Sequence, residues 1–168
     1  MDIKQDTFYL NTESNAFFQR WKKLNDFKTN IRPIKLEIYD NLKTNINLDS
    51  IMVLEIGCFI GDLLSYLEKN HTCNVYGIEP SKDACVFSKK KLNLNLENNT
   101  FINSSLFNNS QDNLMKYDLI VLDDVLSWMS RDIILSTIGA IDWLLKPQGH
   151  IYLKDFTPHF SYATENHH

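Results

Sequence analysis

The stretch VLEIGCFIGDLL, Val53 to Leu64, decides the fold. It opens as an apolar run of strand length and passes through Gly57 and Gly61 into a helical pattern. A buried strand feeding a helix through a glycine turn is the first unit of a nucleotide-binding α/β sheet. The spacing selects the ligand. A dinucleotide turn needs glycine at three places, so that the backbone can approach a pyrophosphate at the helix N-terminus. Here Phe59 holds the second place and Asp62 the third. A carboxylate there opposes a phosphate just where the helix dipole would attract it. The phosphate reading fails, and a dehydrogenase with it.

Outward from this corner, apolar runs alternate with helical patterns. The strand candidates are Ile51–Ile56, Asn74–Ile78, Thr100–Asn103, Asp118–Leu122 and His150–Asp155. Leu63, Leu64 and Leu67 share one helical face between the first two, and Ser81 can cap a helix behind the Pro80 turn. Ile133, Ile134, Ile138, Ile141, Leu144 and Leu145 form a long stripe with Ser130 as its cap, stopping at Pro147 and Gly149. This alternation predicts an α/β fold, a Rossmann-like three-layer sandwich with helices on both faces of a mainly parallel sheet. The first and fourth candidates are apolar almost throughout, as central strands should be, while HIYLKD alternates as nearer an edge. The predicted order is 3-2-1-4-5, with a ligand cleft beyond the ends of strands 1 and 4.

The 168 residues read as one domain: a helical cover or lid over 1–45 and a sheet core over 50–156. Ile34, Ile38 and Leu42 are expected to cover the sheet, whereas the aromatics of NAFFQRW, Asn15 to Trp21, suit either the core or a lid. Net charge is −4 with no basic face, so no nucleic-acid partner is expected. No apolar run approaches the ~20 residues that cross a bilayer, and MDIKQDTFYL lacks a signal-peptide core. Cys58, Cys73 and Cys85 have no paired metal-ligand spacing and read as reduced thiols, which points to the cytoplasm.

The pattern Glu55-x-Gly57-x-x-x-Gly61 resembles the first motif of the class I S-adenosylmethionine-dependent methyltransferases, whose sulfonium cofactor carries no phosphate. The resemblance continues through VYGIEPS, FINSSLF, YDLIVLDDVLSWM and WLLKPQGHIYLKDF, over about positions 50 to 156. It implies S-adenosyl-L-methionine as cofactor, held by Glu55, Gly57, Cys58, Phe59 and Gly61 at the turn. Phe59 stands where many members have glycine, which is tolerated if its backbone keeps negative φ. Glu79, followed by Pro80, would accept the ribose hydroxyls, and Ser104, Ser105 and Leu106 would stand beside the adenine. Asp123 would shape the cofactor site and Asp124 would meet the acceptor, with Asp155 and His159 as further candidates for a base and His159 the stronger. No metal is implied.

The tail DFTPHFSYATENHH resembles a subgroup acting on small molecules, whose strands 6 and 7 are not expected here. The implied activity is in-line methyl transfer to a small acceptor, a sugar or another metabolite. The alternative is a catalytically silent domain that binds the cofactor, or nothing, and works by association. An unpaired fifth strand would favour that, or a homodimer through its edge.

Overall fold

The computed structural model describes residues 9–24 and 31–155. Four strands form a parallel sheet: β1 (Met52–Ile56), β2 (Asn74–Ile78), β3 (Tyr117–Asp123) and β4 (Leu145–Lys154). Their order is β2-β1-β3-β4. Among the described residues six α-helices accompany them: α1 (Ser14–Leu24), α2 (Pro33–Asn45), α3 (Asp62–His71), α4 (Lys82–Lys91), α5 (Ser105–Asn108) and α6 (Arg131–Leu144).

The sheet is the expected one without its outermost strand. Phe101–Asn103 is a turn of 3₁₀ helix, and the β2 edge carries a single bridge between Ile78 and Glu97. Asparagine chemistry explains the difference. The Asn99 side chain donates to the Asn103 carbonyl and accepts from the Thr100 amide, so side chains take bonds that a ladder would need.

Side chains alternate across the strands and find apolar partners on both faces. Val53, Leu119 and Val121 pack with Ile38 and Leu42 of α2 and with Leu63, Leu64 and Leu67 of α3. Leu54, Ile56, Ile120 and Leu122 pack on the other face with Ile141 and Leu144 of α6 and with Phe101 and Leu106. Ile34 does not join the sheet cover; it lines a cavity. The α6 stripe is also narrower than its sequence: Ile133, Ala140, Ile141 and Leu144 are buried, but Ile138 is 53 % exposed.

Helix ends follow local chemistry. The Ser81 hydroxyl accepts from the Ala84 amide and caps α4. Ser130 precedes α6, but its hydroxyl donates to Asp132 and makes no cap. The chain leaves α6 at Leu144 and enters β4 at once, so Pro147 and Gly149 lie in the irregular start of that strand. Gly61 sits before α3 with φ +70°, and a Cβ there would meet Leu94 Cδ2 at 2.7 Å. Gly61→Ala should therefore cost on the order of 1–3 kcal/mol, read as a lowered urea midpoint at unchanged slope.

Candidate functional site

A cavity of about 350 Å³ opens beyond the C-terminal ends of β1, β2 and β3, where Gly57, Glu79, Asp123 and Asp124 line it. The β1 turn reaches it by three left-handed residues: Gly57 at φ +69°, Phe59 at +55° and Gly61 at +70°. Phe59 therefore departs from the expected negative φ. It is held there from two sides. Its amide donates to Glu79 Oε2 at 2.8 Å. Its ring packs against Phe17, Phe18 and Trp21 at centroid distances of 5.3, 5.9 and 4.9 Å. The Arg32 guanidinium lies 4.8 Å above the same ring.

A Cβ on Gly57 would come within 2.5 Å of Val125 Cγ2, so only glycine fits between the turn and the chain after β3. Gly57 and Phe59 line the cavity, whereas Glu55, Cys58 and Gly61 do not. Cys58 is fully buried, which raises its thiol pKa well above the ordinary value. It fills space beside Gly77.

Glu79 ends β2 at the cavity and is almost entirely buried. Oε2 accepts from Phe59 and Oε1 from the Ser81 amide at 2.7 Å. Burial pushes its pKa up to about 7, against the pull of those two amides. Each oxygen keeps a second lone pair, so the carboxylate can still accept from a ligand. Pro80 follows it on the same wall.

Asp123 is spoken for. Lys35 of α2, 3 % exposed, places Nζ 2.6 Å from Glu55 Oε1 and 2.9 Å from Asp123 Oδ2. Lys154 reaches the other Asp123 oxygen at 3.4 Å. Burial alone would lower the Lys35 pKa, but Glu55 and Asp123 outweigh it and raise it. Burial raises that of Glu55 while Lys35 pulls it down. Glu55 Oε2 is buried, with no hydrogen-bond partner among the described residues.

Asp62 opens α3, where a phosphate would sit in a dinucleotide site. It accepts from the Arg32 amide, Nε and Nη2 at 2.7, 2.9 and 2.8 Å. An acid paired with Arg32 thus stands in the first turn of the helix.

At the far end the wall comes from Asn99, Thr100, Phe101 and Ile102. Ser104, Ser105 and Leu106 are not brought to the cavity: Ser104 caps α5, Ser105 bonds Glu97, and Leu106 is in the core. Asp155 accepts from the Leu126 amide and steadies the loop after β3. His159 lies outside the described residues. Asp124, an exposed residue, lines the cavity with φ +55°, and the loop beyond it brings Trp128 to 4.8 Å from the Tyr9 ring. Burial, then Asp123, raise the Asp124 pKa.

Sequence reasoning passed over Tyr9, Arg32 and Lys35. Lys35 did leave a signal, since it shares a helical face with Ile38 and Leu42 and puts a charge in an apolar stripe. Arg32 and Tyr9 left none.

The family described as "Methyltransferase domain" matches residues 54–151. A relative from Rickettsia prowazekii, "Uncharacterized protein RP028", is 26 % identical over 103 residues, covering 61 % of this chain and 41 % of the relative. The chain thus spans less than half of that protein. Magnesium protoporphyrin IX methyltransferase (ChlM) from Synechocystis PCC 6803, solved with bound SAM, superposes at a TM-score of 0.65. Identity is 17 %, covering 86 % of this chain and 73 % of that one. PKMT2 from Rickettsia typhi, in complex with AdoHcy, gives 0.54 at 24 % identity, over 73 % of this chain and 24 % of that one. The match over 54–151, on this sheet and this turn, makes the chain a member of the methyltransferase-domain family.

Proposed function

We propose that the chain binds S-adenosyl-L-methionine and transfers its methyl group to a small-molecule acceptor. One observation carries the reading: the β1–α3 corner has its helix N-terminus filled by Asp62 while Glu79 presents a carboxylate at the tip of β2. A pyrophosphate would meet carboxylates in that corner, whereas a diol can donate to Glu79. The fit extends to Gly57, whose missing Cβ leaves room beside Val125, and to Glu55 Oε2, which has no donor among the described residues. In this reading Gly57 and Phe59 border the amino-acid part, Glu79 and Pro80 the ribose, and Asn99 to Ile102 the adenine.

When bound, the cofactor supplies a methyl group on a sulfonium that already leaves well, so the chain's task is placement. Lys35 holds Glu55 and Asp123 in fixed positions, and Phe59 and Ser81 hold Glu79. Asp124 remains to meet the acceptor.

A second reading has a specific observation behind it. Ile151 and Leu153 of β4 are 51 % and 55 % exposed on the α6 face, which suits a domain that works by association. Turnover over an acceptor panel together with sedimentation at several concentrations separates the two. Turnover by a monomer supports the enzyme.

S-adenosylhomocysteine at about 100 times its dissociation constant should stabilise the chain by ~2.7 kcal/mol, and NADH should not. Glu79→Ala should abolish that shift; an unchanged shift refutes the ribose assignment. The pH dependence has a definite sign. Ribose hydroxyls donate to the charged carboxylate, so binding favours the deprotonated form and releases a proton. With Glu79 at about 7, affinity should fall about tenfold for each unit below that. The same group weakens the free protein as pH rises, because its folded pKa lies above its unfolded one. Calorimetric titrations at pH 6 and 8 in buffers of different ionisation enthalpy measure affinity and proton count together.

A further inference from the structure

The acceptor leaves its own marks on the cavity. Resting on the cofactor reading above, we infer that the acceptor is a small amine with an apolar body, its ammonium held by the Asp124 carboxylate.

Charge is the first argument. Lining the cavity or ion-paired to its lining stand five carboxylates, Glu55, Asp62, Glu79, Asp123 and Asp124, against three cations, Arg32, Lys35 and Lys154. Each cation is committed: Arg32 to Asp62, Lys35 to Glu55 and Asp123, Lys154 to Asp123. Asp124 is different. Among the described residues no hydrogen bond or ion pair reaches its carboxylate, although its amide is fixed by the Lys154 carbonyl at 2.8 Å. The cofactor brings a sulfonium, an ammonium and one carboxylate, a net single positive charge, which leaves the site negative still. An anionic acceptor would meet repulsion, and an ammonium would complete the pairing.

Wall chemistry is the second. Phe17, Ile34, Val125, Trp128 and Met129 line the same cavity, and Tyr9 meets Trp128 across it. A sugar needs a polar partner for each hydroxyl, or it leaves buried groups unpaired. These walls offer few. They suit a hydrocarbon or aromatic body with one polar end.

Asp124 is also held in place. Its left-handed backbone, which aspartate adopts more readily than most residues, takes the chain out of strand geometry at the tip of β3. The ammonium must lose a proton before its lone pair can accept the methyl group. Asp124 takes that proton and returns it to solvent; the nitrogen ends as a methylated ammonium and no other reactant is needed.

The test uses three ligands of one shape and different charge, phenethylamine, 2-phenylethanol and 3-phenylpropionate, titrated calorimetrically into the full chain saturated with S-adenosylhomocysteine. The amine should bind at least tenfold tighter than the alcohol, and the acid weakest. Asp124→Asn, which keeps a residue at ease in the left-handed region, should erase the preference while S-adenosylhomocysteine still binds. Equal or undetectable amine affinity, a tighter acid, or a preference that survives Asp124→Asn overturns the inference alone. Failure of S-adenosylhomocysteine to bind the native chain overturns the cofactor reading and this inference with it.

Discussion

The ammonium of Lys35 is the interaction on which the rest of the site depends. It reaches from α2 across the end of the sheet and joins Glu55 on β1 to Asp123 on β3, with all three side chains under one-tenth exposed. Two buried carboxylates less than a helix diameter apart repel each other. One shared cation between them offsets that repulsion and fixes both side chains. Such a cluster adds little net stability, because desolvation costs about what attraction returns, but removing one member costs about 3–5 kcal/mol. Its use is geometric. The helix that covers the sheet and the two strands that carry the site cannot shift independently.

A second constraint acts on the turn itself. Phe59 occupies a left-handed conformation that glycine adopts freely and phenylalanine does not. The aromatic residues of α1 and the guanidinium of Arg32 enclose its ring, and that burial offsets the backbone cost. The arrangement turns a liability into a link. Asn15 accepts from the Ser81 hydroxyl and Gln19 donates to Asp83, so α1 also grips the start of α4, just past Glu79. The segment ahead of the sheet thus steadies both corners of the cavity, which neither a pure lid nor a pure core helix would do.

How much of this was legible in the sequence depended on whether the signal was local. The β1 turn, the Ser81 cap and the central apolar strands follow from periodicity and short-range chemistry, and they stand where the residues imply. The failures came where side chains compete with backbone or act at a distance. Thr100–Asn103 carries strand-like residues but lies among asparagines that bond locally. Ser104 and Ser105 have the right chemistry for a ligand, yet capping and Glu97 consume it. Asp123 and Asp124 are adjacent and chemically alike. The resemblance gave Asp123 to the cofactor site and Asp124 to the acceptor, but the long-range ion pair with Lys35 that fixes Asp123 leaves no mark within the YDLIVLDDVLSWM stretch.

That division of the two aspartates ties the fold to its chemistry. β3 places consecutive side chains on opposite sides, so its last residue, Asp123, turns to Lys35 and the α2 side. The chain then breaks from strand geometry at Asp124, with its amide bonded to the Lys154 carbonyl of β4. Strand pairing therefore reaches one residue past the strand and fixes where the second carboxylate stands. Pairing beyond the strand end also explains why Asp124 tolerates a left-handed backbone on an exposed loop, since the hydrogen bond to β4 offsets part of the cost. One acid serves the architecture and its neighbour is released to the cavity, and the division is made by backbone register rather than by any difference between the two side chains.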